Sequence, residues 1–260
     1  MCATCGCGHD SAAITLAGHG HDHDHSHPHE HSHPHEHTET ISLEQKVLAK
    51  NDLLAEQNRQ WLAERRILAL NLTSSPGAGK TTLLERTIRE LSTDRPVAVI
   101  EGDQETLLDA ERIRAAGARA VQVNTGAGCH LDAEMVQHAL EHLDPEPDSL
   151  LFIENVGNLV CPAMFDLGEN SKVVVVSVTE GADKPLKYPH MFAAAGLVIV
   201  NKTDLLPYVN FDLEACCEHT RSLNPHAQIL PISATTGDGI ADWYAWIAVR
   251  ANPQYVATTR

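Results

Sequence analysis

The chain has 260 residues, of which 43% are hydrophobic and 4% aromatic, and its formal net charge is −16. It can bury a core of roughly 150–200 residues. So acidic a surface repels phosphate backbones, and no apolar run reaches the ~20 residues that span a bilayer. The N-terminus has no secretory signal pattern, and three of the seven Cys crowd into the first seven residues, which is typical of thiolate ligation in a reducing compartment. We therefore expect a cytoplasmic protein that binds neither nucleic acid nor membranes.

The first 40 residues are predicted to form a disordered metal-binding tail. Cys2, Cys5 and Cys7 are soft donors that short loops can close around one ion. Residues 19–37 carry His at nearly every second position, and neutral imidazole binds Ni²⁺, Zn²⁺, Cu²⁺ or Co²⁺. A composition rich in Pro, Gly and charge cannot form a packed core without metal. An expression tag is the alternative, but this run is internal and interleaved with Asp, Glu, Ser and Pro.

Order is predicted to begin near Ser42. Ser42 and Gln45 have capping-box spacing, and helical periodicity follows, so residues 41–66 are assigned to an N-terminal helix with its core over 43–65. Residues 67–255 are predicted to form an α/β domain with a mainly parallel sheet and helices on both faces, because buried, strand-like runs alternate with amphipathic segments. The strand candidates are 67–72, 96–102, 120–124, 150–155, 172–178, 197–202 and 228–233.

A Gly-rich turn, SSPGAGKTT over 74–82, follows the first strand candidate and precedes a helical pattern. It matches the phosphate-loop template G-x-x-x-x-G-K-[ST], except that Ser74 replaces the first Gly. In such a loop, backbone N–H groups cradle the β-phosphate, Lys80 neutralises the β/γ oxygens and Thr81 ligates Mg²⁺. The nucleotide-binding residues predicted here are Ser75, Gly77, Ala78, Gly79, Lys80, Thr81 and Thr82.

A second motif, N-K-x-D, directly follows the strand candidate LVIV. Asn201, Lys202 and Asp204 form this guanine-reading pattern, in which the Asp204 carboxylate accepts from N1–H and N2–H₂ of guanine. Adenine offers no such pair of donors, and a buried acceptor left unpaired costs ~1–3 kcal/mol. Ser233 and Ala234 resemble the second base-contacting loop. The alternative is an ordinary polar transition from strand to loop.

Acidic residues end two further strand candidates. Asp103 is predicted to associate with Mg²⁺, and Glu154, three residues before Gly157, has the spacing of a switch that senses the γ-phosphate. Carboxylates at the ends of parallel strands lie at the crevice where ligands bind. Lys80, Thr81, Asp103 and Glu154 are therefore the predicted catalytic groups. Either acid could instead cap a helix, because helices also begin at strand ends.

A third group of metal donors lies inside the α/β domain. Cys129 and His130 follow a glycine-rich turn, and Cys161 follows the candidate switch. Three ligands underfill a four-coordinate metal, so two chains meeting at this surface could share an ion. The alternative is that these cysteines are buried for structural reasons.

Together with the His-rich stretch, the strings MCATCGC, SSPGAGKTTLL, EGDQET, NTGAGCHLD, ENVGNLVCP, VTEGADKPLKYPHMF and NKTDLLP resemble the HypB family over essentially the whole chain. The resemblance implies a P-loop GTPase that helps to insert nickel into [NiFe]-hydrogenase and forms a homodimer dependent on nucleotide and metal. It implies a tight nickel site at the N-terminal Cys motif and a nickel or zinc site at Cys129, His130 and Cys161. The implied partners are the accessory protein HypA and the hydrogenase large-subunit precursor.

These observations lead to a hypothesis in which GTP and Mg²⁺ order the loops around 101–107 and 154–165, and hydrolysis changes metal geometry and dimer affinity. Two other readings stay open. One is a GTPase of the same superfamily that serves urease or transfers zinc; the N-terminal Cys triplet and the ENVGNLVCP string argue against it. The other is a nickel storage and detoxification protein with a vestigial GTPase, a role that the His run also suits.

Overall fold

The computed structural model describes residues 36–103, 108–126 and 128–251, with the backbone alone described for 36–44, 103 and 108. Contacts divide the chain into a short unit ending at Val47 and a compact unit from Leu48 onward. Apart from the first residues of the N-terminal helix, the features below belong to the second unit. The predicted metal ligands Cys2, Cys5 and Cys7, and the greater part of the His run, lie outside the described residues.

Seven strands form one sheet in the order β3-β2-β4-β1-β5-β6-β7, and every neighbouring pair is parallel. The α/β class and all seven strand candidates are confirmed, with ends that shift by one or two residues. The strands are β1 (Leu68–Ser74), β2 (Val97–Asp103), β3 (Arg119–Asn124), β4 (Leu150–Glu154), β5 (Ser171–Ser177), β6 (Leu197–Asn201) and β7 (Gln228–Pro231).

Helices cover the sheet, and the longest of them precedes the first strand. They are α1 (Glu36–Glu64), α2 (Lys80–Leu91), α3 (Leu108–Ala115), α4 (Ala133–Leu143), α5 (Lys184–Lys187), α6 (Pro189–Ala193), α7 (Leu213–Leu223) and α8 (Ile240–Arg250), with 3₁₀ turns at Cys161–Ala163 and Thr203–Tyr208. Although α1 has 29 residues, neither it nor another helix in the described part of the chain is long and apolar enough to cross a membrane.

The start of α1 differs from the prediction. The helix begins at Glu36 and runs through Ser42, so Ser42 does not cap it. After Pro34 the sequence contains neither Pro nor Gly until Pro76, so no residue forces an interruption before the helix reaches its N-terminal end. The capping-box spacing of Ser42 and Gln45 was therefore a misleading local signal.

The two faces of the sheet bury different residues of the same strand. Leu68, Leu70 and Leu72 of β1 pack on one side with α2, α3 and α8, whereas Ala69 packs on the other side with α1 and α4. This period of two is what a parallel strand covered on both faces requires. Because β1 lies between β4 and β5, its C-terminal end opens into the crevice where the strand order reverses.

A buried side-chain hydrogen bond joins α8 to α2, the helix that follows the phosphate loop. The indole N–H of Trp243 donates to Thr87 Oγ1 at 2.9 Å, and Thr87 Oγ1 donates to the carbonyl of Leu83 at 2.8 Å. Trp246 stacks on Trp243 with ring centroids 5.6 Å apart, but its own Nε1 finds no hydrogen-bond partner among the described residues.

We expect Trp243→Phe to lower the free energy of unfolding by ~1–3 kcal/mol more than Trp246→Phe, because only the first leaves a buried acceptor unpaired. Both substitutions shrink a buried ring by a similar volume, so the pair isolates the hydrogen bond. Urea unfolding of the two variants measures the difference. Equal destabilisation would show that the Trp243–Thr87 bond contributes nothing beyond packing.

Candidate functional site

The turn after β1 forms a phosphate cradle. Gly77 and Gly79 have φ of 75° and 91°, left-handed conformations that glycine adopts without strain, and α2 begins at the next residue. The cradle opens into a cavity of about 580 Å³, lined by Ser74, Ser75, Pro76, Gly77, Ala78, Gly79, Lys80, Thr81, Thr82, Glu101, Gly102, Asp109, Arg112, Glu154, Asn155, Val156, Gly157 and Lys202. Every residue predicted for phosphate binding lines this cavity.

The second predicted loop, after β6, is joined directly to the phosphate cradle. Asn201 Nδ2 donates to the carbonyl of Ala78 at 2.9 Å, and Asn201 Oδ1 accepts from the N–H of Ala234 at 3.0 Å. Lys202, itself left-handed with φ of 64°, donates from Nζ to the carbonyl of Gly77 at 2.7 Å. Asn201 therefore fixes the cradle and the 233–234 loop relative to each other.

Asp204 and Ser233 meet at the predicted base-reading position. Ser233 Oγ donates to Asp204 Oδ1 at 2.6 Å. Ser233 is completely buried, and its Oγ also accepts from the N–H of Thr236 at 3.0 Å. The carboxylate is thereby held by one oxygen, an arrangement that suits recognition of two N–H donors on one edge of a base.

Acidic oxygens surround the Thr81 hydroxyl at the mouth of the cradle. Thr81 Oγ1 donates to Glu154 Oε1 at 2.7 Å and lies 3.4 Å from Asp109 Oδ2. The other oxygen of Glu154 is buried and has no hydrogen-bond partner among the described residues. Hydroxyl and carboxylate oxygens are the ligands that Mg²⁺ prefers, so the residues present fit a magnesium ion beside the phosphates.

Asp109 was not among the predicted Mg²⁺ residues. The prediction chose Asp103, which closes β2 but whose side chain lies outside the described residues. Asp109 lies in the first turn of α3 and accepts from Arg112 Nη1 at 2.9 Å. An acid in the first turn of a helix is common for reasons of helix stability alone, so nothing in the sequence singles out Asp109 as a magnesium ligand.

Cys129, His130 and Cys161 come together although Cys161 lies 31 residues beyond His130 in the sequence. Their donor atoms all lie within 4.8 Å of one another, and the two Sγ atoms are 2.8 Å apart. Cys161 is completely buried, whereas Cys129 and His130 are half-buried. Burial lowers the pKa of His130, which keeps its imidazole neutral and able to donate a lone pair. Two thiols and an imidazole suit Ni²⁺ or Zn²⁺.

The segment from Glu154 to Cys161, here called the connecting segment, spans the distance between the phosphate cradle and this cluster. At its first end, Lys80 Nζ donates to the carbonyl of Asn155 and lies 3.5 Å from Glu154 Oε1. Farther along, Asn158 Nδ2 donates to the carbonyl of Cys129 at 3.2 Å. A phosphate in the cradle and a metal at the cluster would therefore touch the same eight-residue stretch.

The side chain of Asn155 supplies a further link that the sequence did not reveal. Its Oδ1 accepts from the N–H of Leu131, the residue after His130, at 3.2 Å, and its Nδ2 donates to Asn71 Oδ1 at 3.3 Å. Asn71 in turn donates to Glu169 at 3.0 Å. Asn71 and Asn155 are buried to 0% and 1% exposure, so each bond forms away from competing water.

Glu169 and Lys172 complete this buried polar chain on the far side of Cys161. Lys172 Nζ lies 3.6 Å from Glu169 Oε1 and donates to the carbonyls of Pro162 and Phe165 at 2.8 and 3.1 Å. The charge of Lys172 and the amide of Asn71 hold the pKa of the Glu169 carboxyl below its usual range despite its burial. Lys172 thus holds the turn that carries Cys161 in place through these two main-chain carbonyls.

Two further side chains complete the description. Cys216 packs in the apolar cluster around β5 and β6, and burial raises the pKa of its thiol to about 12. Lys184, which the prediction missed, donates to Ser75 Oγ at 2.8 Å and pairs with Glu180 at 2.8 Å, so it braces the phosphate cradle from α5.

The contact between Asn201 and the cradle generates a matched pair of variants. A Cβ at Gly79 would lie 2.5 Å from Asn201 Nδ2, whereas a Cβ at Gly77 would meet nothing within 4 Å. Both positions have positive φ, so the backbone strain of ~1–2 kcal/mol is common to both. We expect Gly79→Ala to weaken binding of fluorescent GDP at least about tenfold more than Gly77→Ala, which is ~1.4 kcal/mol. Equal affinities would show that the Asn201 contact is dispensable.

Comparison with known proteins agrees with this geometry. Residues 68–231 match the family model "CobW/HypB/UreG, nucleotide-binding domain". The chain is 59% identical over 211 residues to the hydrogenase maturation factor HypB of Rhizobium leguminosarum bv. viciae, covering 81% of this chain and 71% of that protein. It is also 59% identical over 207 residues to HypB of Escherichia coli K12, covering 80% and 71% of the two chains.

Solved structures agree as well. HypB from Archaeoglobus fulgidus is 41% identical with a TM-score of 0.73, covering 78% of this chain and all of that one. HypB from Helicobacter pylori in complex with nickel is 38% identical with a TM-score of 0.74, covering 79% and 97%. The phosphate cradle, the parallel sheet and these likenesses lead to one conclusion: the chain belongs to the CobW/HypB/UreG family of nucleotide-binding proteins, within its HypB group.

Proposed function

We propose that this protein is a GTPase that binds nickel and delivers it during the maturation of a [NiFe]-hydrogenase in the cytoplasm. The observation that carries the proposal is the connecting segment, Glu154 to Cys161, which contacts Lys80 and Thr81 at one end and bears a metal donor at the other. The names of the relatives and the nickel complex of the Helicobacter pylori protein support the client and the metal.

In this proposal the nucleotide is GTP, held by the cradle and read by Asp204. Asp204 accepts from guanine N1–H and N2–H₂, while Asn201 keeps the base loop against the cradle. Lys80 neutralises the β- and γ-phosphate oxygens. Mg²⁺, when held by Thr81 with Glu154 and Asp109 nearby, would supply positive charge to the transferred phosphoryl group. Thr81, Glu154 and Asp109 thus orient the reacting end of the nucleotide.

Hydrolysis is coupled to metal release through the connecting segment. A γ-phosphate competes with the carbonyl of Asn155 for the ammonium group of Lys80. Loss of that contact changes the constraint on Asn155, whose side chain holds the N–H of Leu131 beside the cluster. The arrangement of Cys129, His130 and Cys161 thereby differs between the GTP and GDP states, and linkage requires metal to alter nucleotide affinity by the same factor.

The cluster is proposed to lie at a homodimer surface that depends on nucleotide and metal. Val160 and Met164, on either side of Cys161 in sequence, are 44% and 38% exposed, so two apolar side chains lie at the surface near the candidate ligands. A partner chain would cover them and complete the coordination of an ion that three donors underfill. A HypA-type accessory protein and the hydrogenase large-subunit precursor are the proposed recipients of nickel, and Zn²⁺ is the alternative ion here.

A second candidate function is nickel storage. It is favoured by the His run over residues 19–37 and by Cys2, Cys5 and Cys7, which together offer far more donors than delivery of one ion needs. Storage predicts that removal of the tail affects growth only at nickel excess or starvation. Delivery predicts that loss of Lys80 abolishes hydrogenase activity.

Guanine specificity has a direct test. Asp204→Asn replaces an acceptor with a possible donor, so we expect kcat/KM for GTP to fall about 10–100-fold, corresponding to ~1–3 kcal/mol. Activity with xanthosine triphosphate should rise, because xanthine carries a C2 carbonyl that an amide N–H can meet. The control is Asp238→Asn, an exposed carboxylate in the loop that carries Ser233, which accepts from the Thr236 hydroxyl at 2.8 Å. Unchanged GTP turnover in Asp204→Asn would refute the assigned base pocket.

Coupling between nucleotide and metal is tested by measuring nickel affinity in the presence of GDP and of a non-hydrolysable GTP analogue. The full chain carries Cys2→Ser, Cys5→Ser and Cys7→Ser, so that thiolate-to-nickel charge-transfer absorbance reports on the internal cluster. We expect the two affinities to differ at least about fivefold, the lower end of usual allosteric coupling. Identical affinities would refute the proposed coupling between the bound nucleotide and the metal site.

The control for coupling leaves the tail unaltered and removes one phosphate-binding side chain, that of Lys80. Lys80→Ala in the otherwise unaltered chain should abolish GTP turnover while nickel binding at the N-terminal Cys motif persists. If the tail of this variant also loses nickel, the two halves of the protein are not independent.

A further inference from the structure

Helix α1 contacts both segments that carry the internal metal donors. One segment, here called the Cys129 segment, runs from Cys129 to Ala133; the other, the Cys161 segment, runs from Cys161 to Gly168. Neither Asn51 nor Asn58 of α1 belongs to the nucleotide cavity or to the metal cluster. Both side chains nevertheless bridge these two segments.

Asn51 makes one bond to each segment. Its Oδ1 accepts from the N–H of Ala133 at 2.9 Å, and its Nδ2 donates to the carbonyl of Asp166 at 2.8 Å. Asn58 repeats the pattern two turns later, because its Nδ2 donates to the carbonyl of Ala133 at 2.9 Å and to that of Leu167 at 3.1 Å. Residues seven apart lie on one face of a helix, so the two amides act side by side.

The bridge is buried and close-packed. Asn51 and Asn58 are 5% and 2% exposed, so their bonds are shielded from water. Between them, the backbone of Gly168 approaches α1 so closely that a Cβ there would lie 2.5 Å from the carbonyl oxygen of Ala55. An amide that satisfies two chain segments at once fixes their separation, since shifting either segment leaves a buried polar group unpaired.

Their separation determines whether the metal donors converge. Ala133 follows His130 by three residues, and Asp166 follows Cys161 by five. The ring of His130 also packs on that of Phe165, with centroids 4.0 Å apart, which shows that the two segments meet where the ligands meet.

We propose that Asn51 and Asn58 are positioning residues for the internal metal site, holding the Cys129 and Cys161 segments at the separation at which their donors bind one ion. This inference rests on the proposed function, because it takes Cys129, His130 and Cys161 to be metal ligands. Residues behind metal ligands commonly raise affinity about 10–100-fold by orienting them. Asn51 and Asn58 orient the ligands indirectly, because they hold the main chain of the two segments that carry them.

The test uses the full chain with Cys2→Ser, Cys5→Ser and Cys7→Ser and follows thiolate-to-nickel charge transfer, to which the His run contributes nothing. Asn58→Leu removes the donor shared by the carbonyls of Ala133 and Leu167, so nothing on α1 joins them at this point, and we expect nickel affinity to fall about 10–100-fold. Asn51→Asp keeps the acceptor for Ala133 but opposes the carbonyl of Asp166, and we expect a loss of about tenfold.

Gln57→Ala is the matched control. Gln57 lies beside Asn58, is exposed, and accepts from Gln137 of α4 at 3.3 Å. Its substitution therefore removes a contact of α1 that lies outside both ligand segments. Its nickel affinity should stay within about twofold of the parent. Affinity for fluorescent GDP, measured on all variants, should not change, because the hydrogen bonds of Asn51 and Asn58 are made to the Cys129 and Cys161 segments and not to the phosphate cradle.

The outcomes separate this inference from the function on which it rests. If the triple-serine parent shows no charge-transfer band, the cluster is not a nickel site and the proposed function fails. If the parent binds nickel and both asparagine variants match it, the positioning role is refuted. An equal loss of GDP affinity would also refute it, because a loosened fold would then explain the result. Should Asn58→Leu not fold, Asn51→Asp decides alone.

Discussion

The site depends on the burial of one residue, Asn155, which directly follows β4. Asn155 is 1% exposed, its carbonyl accepts from Lys80, and its side chain bonds to Leu131 and Asn71. A buried amide left unpaired costs ~1–3 kcal/mol, so Asn155 has few alternative orientations. Asn155 therefore contacts both the phosphate cradle, through Lys80, and the segment that carries Cys129 and His130, through Leu131.

Features that are local in sequence could be predicted. The seven strands were recognised from apolar runs, and the 74–82 turn and the N-K-x-D string at 201–204 carry their geometry within a few residues. The sequence also singled out Cys129, His130 and Cys161 as candidate donors of one metal site, and their donor atoms lie within 4.8 Å of one another. These inferences required no knowledge of which helix packs where.

Features that depend on pairing across the chain could not be predicted. Asn51 and Asn58 bond to residues 75–115 positions away, and in sequence they are two ordinary polar residues of a helix. The role of Asp109 could not be predicted for the same reason, because its proximity to Thr81 follows from the packing of α3 against α2. The start of α1 at Glu36 was not predicted for another reason. Ser42 and Gln45 have capping-box spacing, but the residues before Ser42 are also compatible with a helix, so the helix continues past this signal.

The complete burial of Cys161 has a kinetic consequence. An acceptor protein that takes metal by direct attack needs to reach the ion while the old donors are still attached. With Cys161 enclosed, and its turn pinned by Lys172 through the carbonyls of Pro162 and Phe165, that approach is open only from the side of Cys129 and His130. Under the proposed function, transfer of metal from such a site should therefore saturate with acceptor concentration, with opening of the Cys161 turn as the slow step.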